Sequence, residues 1–193
     1  MDCLPFYPEG FVERVIKAGH TVTGKYECDA GVLNFKDSYN ILVENCLLYG
    51  SGTIGIGLRG CASALITNTT VTDCSRLAVE VSRSYGITFD KCKFIDNRAY
   101  DGVIAGSESS AEFFDCMVTG NKSIEFGGVV AFSNALFERC VFRDNAQIKE
   151  SVGGPGPVLS GANLRLRDCS IEKGNFSDYW YDGVIDLGGN KLT

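Results

Sequence analysis

Ile87-Thr88-Phe89-Asp90-Lys91-Cys92-Lys93-Phe94-Ile95-Asp96-Asn97 returns as Ala111-Glu112-Phe113-Phe114-Asp115-Cys116-Met117-Val118-Thr119-Gly120-Asn121. It returns again as Ala135-Leu136-Phe137-Glu138-Arg139-Cys140-Val141-Phe142-Arg143-Asp144-Asn145. Working outward, Ile41-Leu42-Val43-Glu44-Asn45-Cys46 precedes these copies and Leu164-Arg165-Leu166-Arg167-Asp168-Cys169 follows them, with Thr70 filling the gap after Cys46. Positions 46, 70, 92, 116, 140 and 169 are then 24, 22, 24, 24 and 29 residues apart.

A second marker, a small residue or Pro opening a short apolar run, keeps the same period. It reads Gly31-Val32-Leu33, Gly55-Ile56-Gly57-Leu58, Ala78-Val79-Glu80-Val81, Gly102-Val103-Ile104, Gly128-Val129-Val130, Pro157-Val158-Leu159 and Gly183-Val184-Ile185. Two markers with one period identify a solenoid of about seven coils.

The coil must be built from strands, because each apolar run is short and rich in Val, Ile and Phe. Residues five and three before the Cys alternate inward, as Ile87 and Phe89 do, and so do residues two after it, such as Phe94, Val118 and Phe142. The Cys shares that apolar side only if the chain bends at the two polar residues before it, such as Asp90-Lys91. Asn97, Asn121 and Asn145 suit a second corner, because Asn tolerates left-handed backbone angles. Three short strands per coil, stacked in parallel, give an all-β fold: a right-handed single-stranded parallel β-helix. At about 4.8 Å per coil, seven coils make a rod of roughly 34 Å. Residues 1–30 are expected to form a short capping helix and a lead-in strand, and residues 31–193 the β-helix.

The coils resemble the parallel β-helix repeats of the pectin-lyase-like superfold. Cys92–Asn97 with Asp101-Gly102-Val103-Ile104, Phe142-Arg143-Asp144-Asn145 and Phe126-Gly127-Gly128-Val129-Val130 also resemble the FxxN and GGA-I repeats of polymorphic outer-membrane adhesins. Phe11–Val22 leading to Gly24-Lys25-Tyr26 is similar to the amphipathic cap helix and first strand of such proteins, with His20 where that pattern prefers Asp. The resemblance implies a fold and leaves function open, since the superfold hosts lyases, hydrolases, adhesins and spacers.

Composition narrows the function classes. The chain has 193 residues, 45% of them hydrophobic and 22% charged, with a formal net charge of −6. That excludes a disordered chain, and no apolar run is long enough to insert in a membrane. The acidic balance argues against nucleic acid as a partner. The N-terminus carries no signal peptide pattern, which reads as cytoplasmic for the sequence as written, and as cell-surface or secreted for a domain excised from a longer protein. Nine cysteines without a CxxC pair argue against a zinc site. Cys46, Cys92, Cys116 and Cys140 are expected to stack inward as reduced thiols, whereas Cys61 and Cys74 fall at corners and are expected to be exposed.

Three groups of residues are candidate sites. Asp90 and Asp115, with Lys91, Glu138 and Arg139 nearby, could form an acid–base cluster on adjacent coils, or a solvated stripe of alternating sign. Tyr179 and Trp180 could stack on a sugar, bind a protein or cover the last coil. Ile104, Val130, Leu159 and Ile185 read as an outward aliphatic stripe for a homo-oligomer contact, unless the late coils are shifted by one residue. The open C-terminal coil is a further surface for association. The expected function is a non-catalytic binding module for a glycan, cell-surface or protein partner, with no cofactor. The alternative is a carbohydrate-active enzyme, a polysaccharide lyase or glycoside hydrolase, and calcium enters only under that alternative.

Overall fold

The computed structural model describes residues 31–50, 52–100, 102–124, 128–147, 158–172 and 183–193. The expected capping helix, His20, Cys3, Cys28, Tyr179 and Trp180 lie outside these residues. The described chain is a right-handed parallel β-solenoid of about six turns, built from three long sheets and one short one. The first sheet stacks Leu33–Lys36, Ile54–Arg59, Leu77–Ser82, Ile104–Ser107, Val130–Phe132 and Leu159–Ser160. The second stacks Tyr39–Glu44, Ala62–Thr67, Tyr85–Asp90, Ala111–Phe114, Asn134–Glu138, Asn163–Arg167 and Val184–Asp186. The third runs from Leu47–Tyr49 through Thr70–Thr72, Lys93–Ile95, Met117–Thr119, Val141–Arg143 and Ser170–Ile171 to Lys191–Leu192. Arg98–Ala99, Lys122–Ser123 and Ala146–Gln147 form the short fourth sheet.

Each corner turns on one residue rather than two. Asn45, Asn68, Lys91, Asp115, Arg139 and Asp168 adopt φ of 56°, 47°, 52°, 52°, 53° and 52°, directly before the Cys position. A single left-handed residue reverses the side-chain alternation, so the residue after it points inward again. Lys and Arg have no intrinsic preference for this region, so the surrounding ladder imposes it.

The inward slot after each bend takes a short side chain with a hydrogen-bond donor. In the cysteine ladder the occupants are Cys46, Thr69, Cys92, Cys116, Cys140, Cys169 and Asn190. Thr69 therefore takes the slot expected for Thr70: the Cys46 N–H donates to its Oγ1 at 3.3 Å, while Thr70 pairs with Leu47 in the third sheet. The thiols above Cys46 reach a carbonyl one coil down, Cys116 to Phe89 O at 3.5 Å and Cys140 to Phe113 O at 3.3 Å.

A second ladder runs Cys61, Ser84, Ser109, with the Cys61 N–H on Ser84 Oγ at 2.9 Å and the Ser84 N–H on Ser109 Oγ at 3.0 Å. The third runs Cys74, Asn97, Asn121, Asn145 through backbone N–H to Oδ1 bonds of 3.1, 3.0 and 3.1 Å. Cys61 and Cys74 are thus buried, contrary to the expected exposure, because they begin these two ladders. The asparagines do not themselves turn the corner. Asp96, Gly120 and Asp144 take the positive φ before them, and the carboxamides are buried to satisfy backbone groups.

Phenylalanine fills the middle of the rod. Phe89 and Phe113 stack at 4.7 Å between ring centroids, and Phe113 and Phe137 at 4.3 Å, both nearly parallel. Phe94, Phe132 and Phe142 meet this column edge-on and are buried, as expected for Phe94 and Phe142. Gly106 makes room for Phe132, its register partner: a Cβ at Gly106 would lie 2.3 Å from the ring.

The aliphatic stripe is core. Ile56, Val79, Ile104, Val130 and Leu159 are register partners in the first sheet, all fully buried. Gly55 and Ala78 align with Val103, Val129 and Val158, not with Gly102, Gly128 and Pro157, as the Ala78 N–H to Val103 O and Val103 N–H to Val129 O bonds show. The late coils are therefore shifted by one residue, which turns Ile104, Val130 and Leu159 inward. Ile185 does not belong to the stripe at all. It lies in the second sheet opposite Arg165 and is exposed, so the run at Gly183 does not open a seventh coil of the first sheet.

All seven described cysteines are free thiols, six of them buried and Cys46 half-buried. In the stack, interaction with the neighbouring sulfurs of Cys140 and Cys92, together with burial, pushes the Cys116 thiol pKa far above the ordinary value. Alkylation of the native protein, read by peptide mass spectrometry, is expected to modify Cys46 first among the seven described cysteines. Cys61, Cys74, Cys92, Cys116, Cys140 and Cys169 should be labelled only on unfolding. Native labelling of Cys116 ahead of Cys46 would contradict the ladder.

Candidate functional site

The corner between the second and third sheets carries the expected charged residues. The left-handed bend there directs Asn45, Asn68, Lys91, Asp115, Arg139 and Asp168 outward, one above the other. Asn68 Nδ2 donates to Asn45 Oδ1 at 2.5 Å. Asp115 and Arg139 form a two-pronged ion pair, Nε to Oδ1 at 2.9 Å and Nη2 to Oδ2 at 3.0 Å. Arg139 Nη1 also binds Glu138 Oε1, and Arg167 Nη1 reaches Glu138 Oε2 at 3.4 Å. Lys91 Nζ lies 3.7 Å from Asp90 Oδ2, which also accepts from Thr67 Oγ1 at 3.4 Å. The Arg139 guanidinium sits 5.9 Å from the centre of the Phe114 ring.

The structure therefore brings Asp115, Glu138 and Arg139 into one network and pairs Asp90 with Lys91. The hydrogen bond from Arg139 holds the Asp115 carboxyl below the ordinary carboxylate range; partial desolvation opposes it, and the charges of Arg139 and Lys91 add to it. A carboxyl held ionised in this way is a poor proton donor at neutral pH. Its folded pKa lies below its unfolded one, so the pair stabilises the fold above the unfolded pKa. That contribution is lost as pH falls through the folded value, and it is small because both partners are exposed. Arg139→Ala is expected to raise the Asp115 pKa toward the usual value in an NMR titration of its carboxyl carbon. An unmoved titration curve would contradict the pairing.

A different surface stands out on the second sheet. Tyr39, Ala62 and Tyr85 are register partners, and so are Leu42 and Leu65. Tyr39 is 76% exposed, Leu42 62%, Tyr85 59% and Leu65 42%. Strict alternation from Ile41 or Ile87 would turn both tyrosines inward. Asn40 (φ 54°), Ser63 (φ 58°) and Gly86 (φ 64°) each insert a left-handed residue between the tyrosine row and the inward row, which flips that row outward. These are the side chains that reasoning from alternation missed. The signal was the exposed-type polar or Gly residue interrupting the pattern at the same place in three coils.

Among the described residues, no group of three or more His, Cys, Asp or Glu is arranged to hold a metal ion. No described helix is long and apolar enough to cross a membrane.

Comparison with known proteins bears on this surface only through the fold. The family model described as "Right handed beta helix region" matches residues 30–192. The chain belongs to the right-handed β-helix family. Among solved structures, this β-helix is similar to ORF18 of Geobacillus virus E2 at 13% identity and a TM-score of 0.51, over 80% of this chain and 32% of that one. It is also similar to Dex49A from Penicillium minioluteum at 10% identity and a TM-score of 0.39, over 80% of this chain and 34% of that one. A trypsin-treated QnrB1, a plasmid-mediated fluoroquinolone resistance protein, matches at 15% identity and a TM-score of 0.33, over 83% of this chain and 91% of that one. The β-helix thus spans about a third of the length of the viral protein and of Dex49A. No curated protein matches its sequence.

Proposed function

We propose that this β-helix is a non-catalytic binding module that offers its outer faces to a glycan or protein partner. The observation that carries this reading is the state of the acidic stripe. Asp115 and Glu138 are tied up by Arg139 and Arg167, Asp90 is paired with Lys91, and the Arg139 contact keeps Asp115 ionised. Acid–base work on a sugar needs one carboxyl held protonated and another free to attack or to activate water. The exposed apolar side chains of the second sheet support binding instead.

The enzyme reading is favoured by one feature, the recurrence of carboxylates on adjacent coils at Asp90, Asp115 and Glu138. The two readings separate in a product assay. The protein is incubated with a panel of acidic and neutral glycans, with and without calcium, and scored for new reducing ends and unsaturated products. No turnover is expected; robust turnover abolished by Asp90→Asn or Asp115→Asn would replace the binding reading with the enzyme.

A further inference from the structure

We propose that Tyr39 and Tyr85 form a stacking platform for an extended, uncharged β-1,4-linked glycan lying along the axis of the rod. The inference rests on the binding-module reading and names the ligand of one face. The two rings occupy the same column of the second sheet, with Ala62 between them. Neighbouring parallel strands stand about 4.8 Å apart, so the two tyrosine positions are separated by about 9.6 Å. That is the length of one disaccharide in an extended β-1,4 chain. In such a chain each sugar is turned about half a revolution from the last, so the same C–H face returns every second ring. A tyrosine on every second coil meets that face each time it recurs, and the small Ala62 leaves space for the sugar between.

The chemistry around the column agrees. A tyrosine ring offers a flat π-face to C–H groups at little cost in conformational entropy. Leu42 and Leu65 extend the apolar floor on the same outer face, and Asn40 and Ser63 are exposed beside the rings as partners for sugar hydroxyls. Tyr39, Asn40, Leu42, Ala62, Ser63, Leu65, Tyr85 and Gly86 include no charged residue. The platform residues themselves are therefore neutral and suit an uncharged glycan. A curved α-linked chain does not keep two equivalent faces in line at this spacing.

Isothermal titration with cellohexaose and chitohexaose, using maltohexaose and hexagalacturonate as comparators, tests the proposal on the full chain. At least one β-1,4 hexamer is expected to bind and the comparators to bind weakly or not at all. Tyr39→Ala and Tyr85→Ala should each weaken binding by about tenfold, with the melting temperature held within a degree or two because both rings are exposed. Failure of both β-1,4 hexamers to bind overturns the platform, as does binding that neither variant changes. A concentration-dependent doubling of mass that Tyr39→Ala abolishes also overturns it, in favour of a second copy on this face. A negative product assay together with any of these outcomes rejects the platform and leaves the binding-module reading in place, whereas turnover in that assay rejects the module itself.

Discussion

Phe113→Ala is expected to destabilise the protein by about 3–5 kcal/mol, the range for deleting a fully buried phenyl ring. Phe113 is the centre of the aromatic column: it stacks on Phe89 and Phe137 and meets Phe94 and Phe132 edge-on. Its removal opens a cavity between two rings whose backbones are fixed by parallel strand pairing above and below, so neither ring can collapse into the space. Phe142 is also fully buried but meets Phe137 alone among the described rings, and Phe142→Ala should fall at the lower end of the same range. Domains of this kind have a net stability of only about 5–15 kcal/mol, so the first substitution removes a large share of it. Urea unfolding checks both: the midpoint should fall with little change in slope. A Phe113→Ala midpoint equal to the parent's would mean that the column is not packed as described.

Asn121→Leu should be nearly as damaging, by a different route. The Asn121 carboxamide accepts from the Asn97 N–H at 3.0 Å and from Asn97 Nδ2 at 3.0 Å. It donates to Phe94 O at 2.8 Å and to Asn145 Oδ1 at 3.0 Å. Leucine has the same branched outline and number of heavy atoms but no polar group, so the substitution orphans buried groups on both neighbouring coils. At about 1–3 kcal/mol for each buried group left unpaired, the loss should reach about 3 kcal/mol or more. Asn121→Ser should recover part of it, because Ser84 fills the equivalent slot of another corner, accepting from the Cys61 N–H and donating to Leu58 O. Equal stability of the Leu and Ser variants in the same unfolding experiment would show that packing, and not the ladder, holds that corner.

These ladders also explain what the sequence discloses and what it conceals. The repeat is legible because one slot uses Cys in most coils, and because Phe89, Phe113 and Phe137 recur in register with it. The other corners are harder to read. Cys61, Ser84 and Ser109 do the same work as Cys116, since all that the slot requires is a short side chain able to donate and accept, and residue type need not repeat for geometry to repeat. Thr69 was displaced to Thr70 for the same reason: neighbouring threonines are equivalent in type and only the hydrogen bond from Cys46 separates them.

Direction is the second difficulty. A left-handed residue flips every side chain after it, and its identity ranges over Asn, Asp, Lys, Arg, Glu, Ser and Gly. A one-residue misalignment of the late coils placed Ile104, Val130 and Leu159 outside when they are core, and the flips at Asn40 and Gly86 put Tyr39 and Tyr85 on the surface, where plain alternation would bury them. The charged stripe was legible as alternating sign along the corner. Which carboxylate pairs with which cation followed only from the inter-coil register, which sets Asp115 beneath Arg139.

Fixed register is what gives the outer faces defined spacings, and the corner ladders are what fix it. Native-state amide hydrogen exchange tests that claim most directly. The N–H groups of Cys46, Cys61, Cys74, Ser84, Asn97, Asn121 and Cys169 are bonded to side chains of the next coil and not to a strand partner. Ladders that lock the corners should make the buried central ones, at Cys74, Ser84, Asn97 and Asn121, exchange as slowly as the strand amides of Val79 and Phe113, through global opening alone. Corner amides that exchange orders of magnitude faster than those strand amides would show that the turns open independently, and would contradict the account.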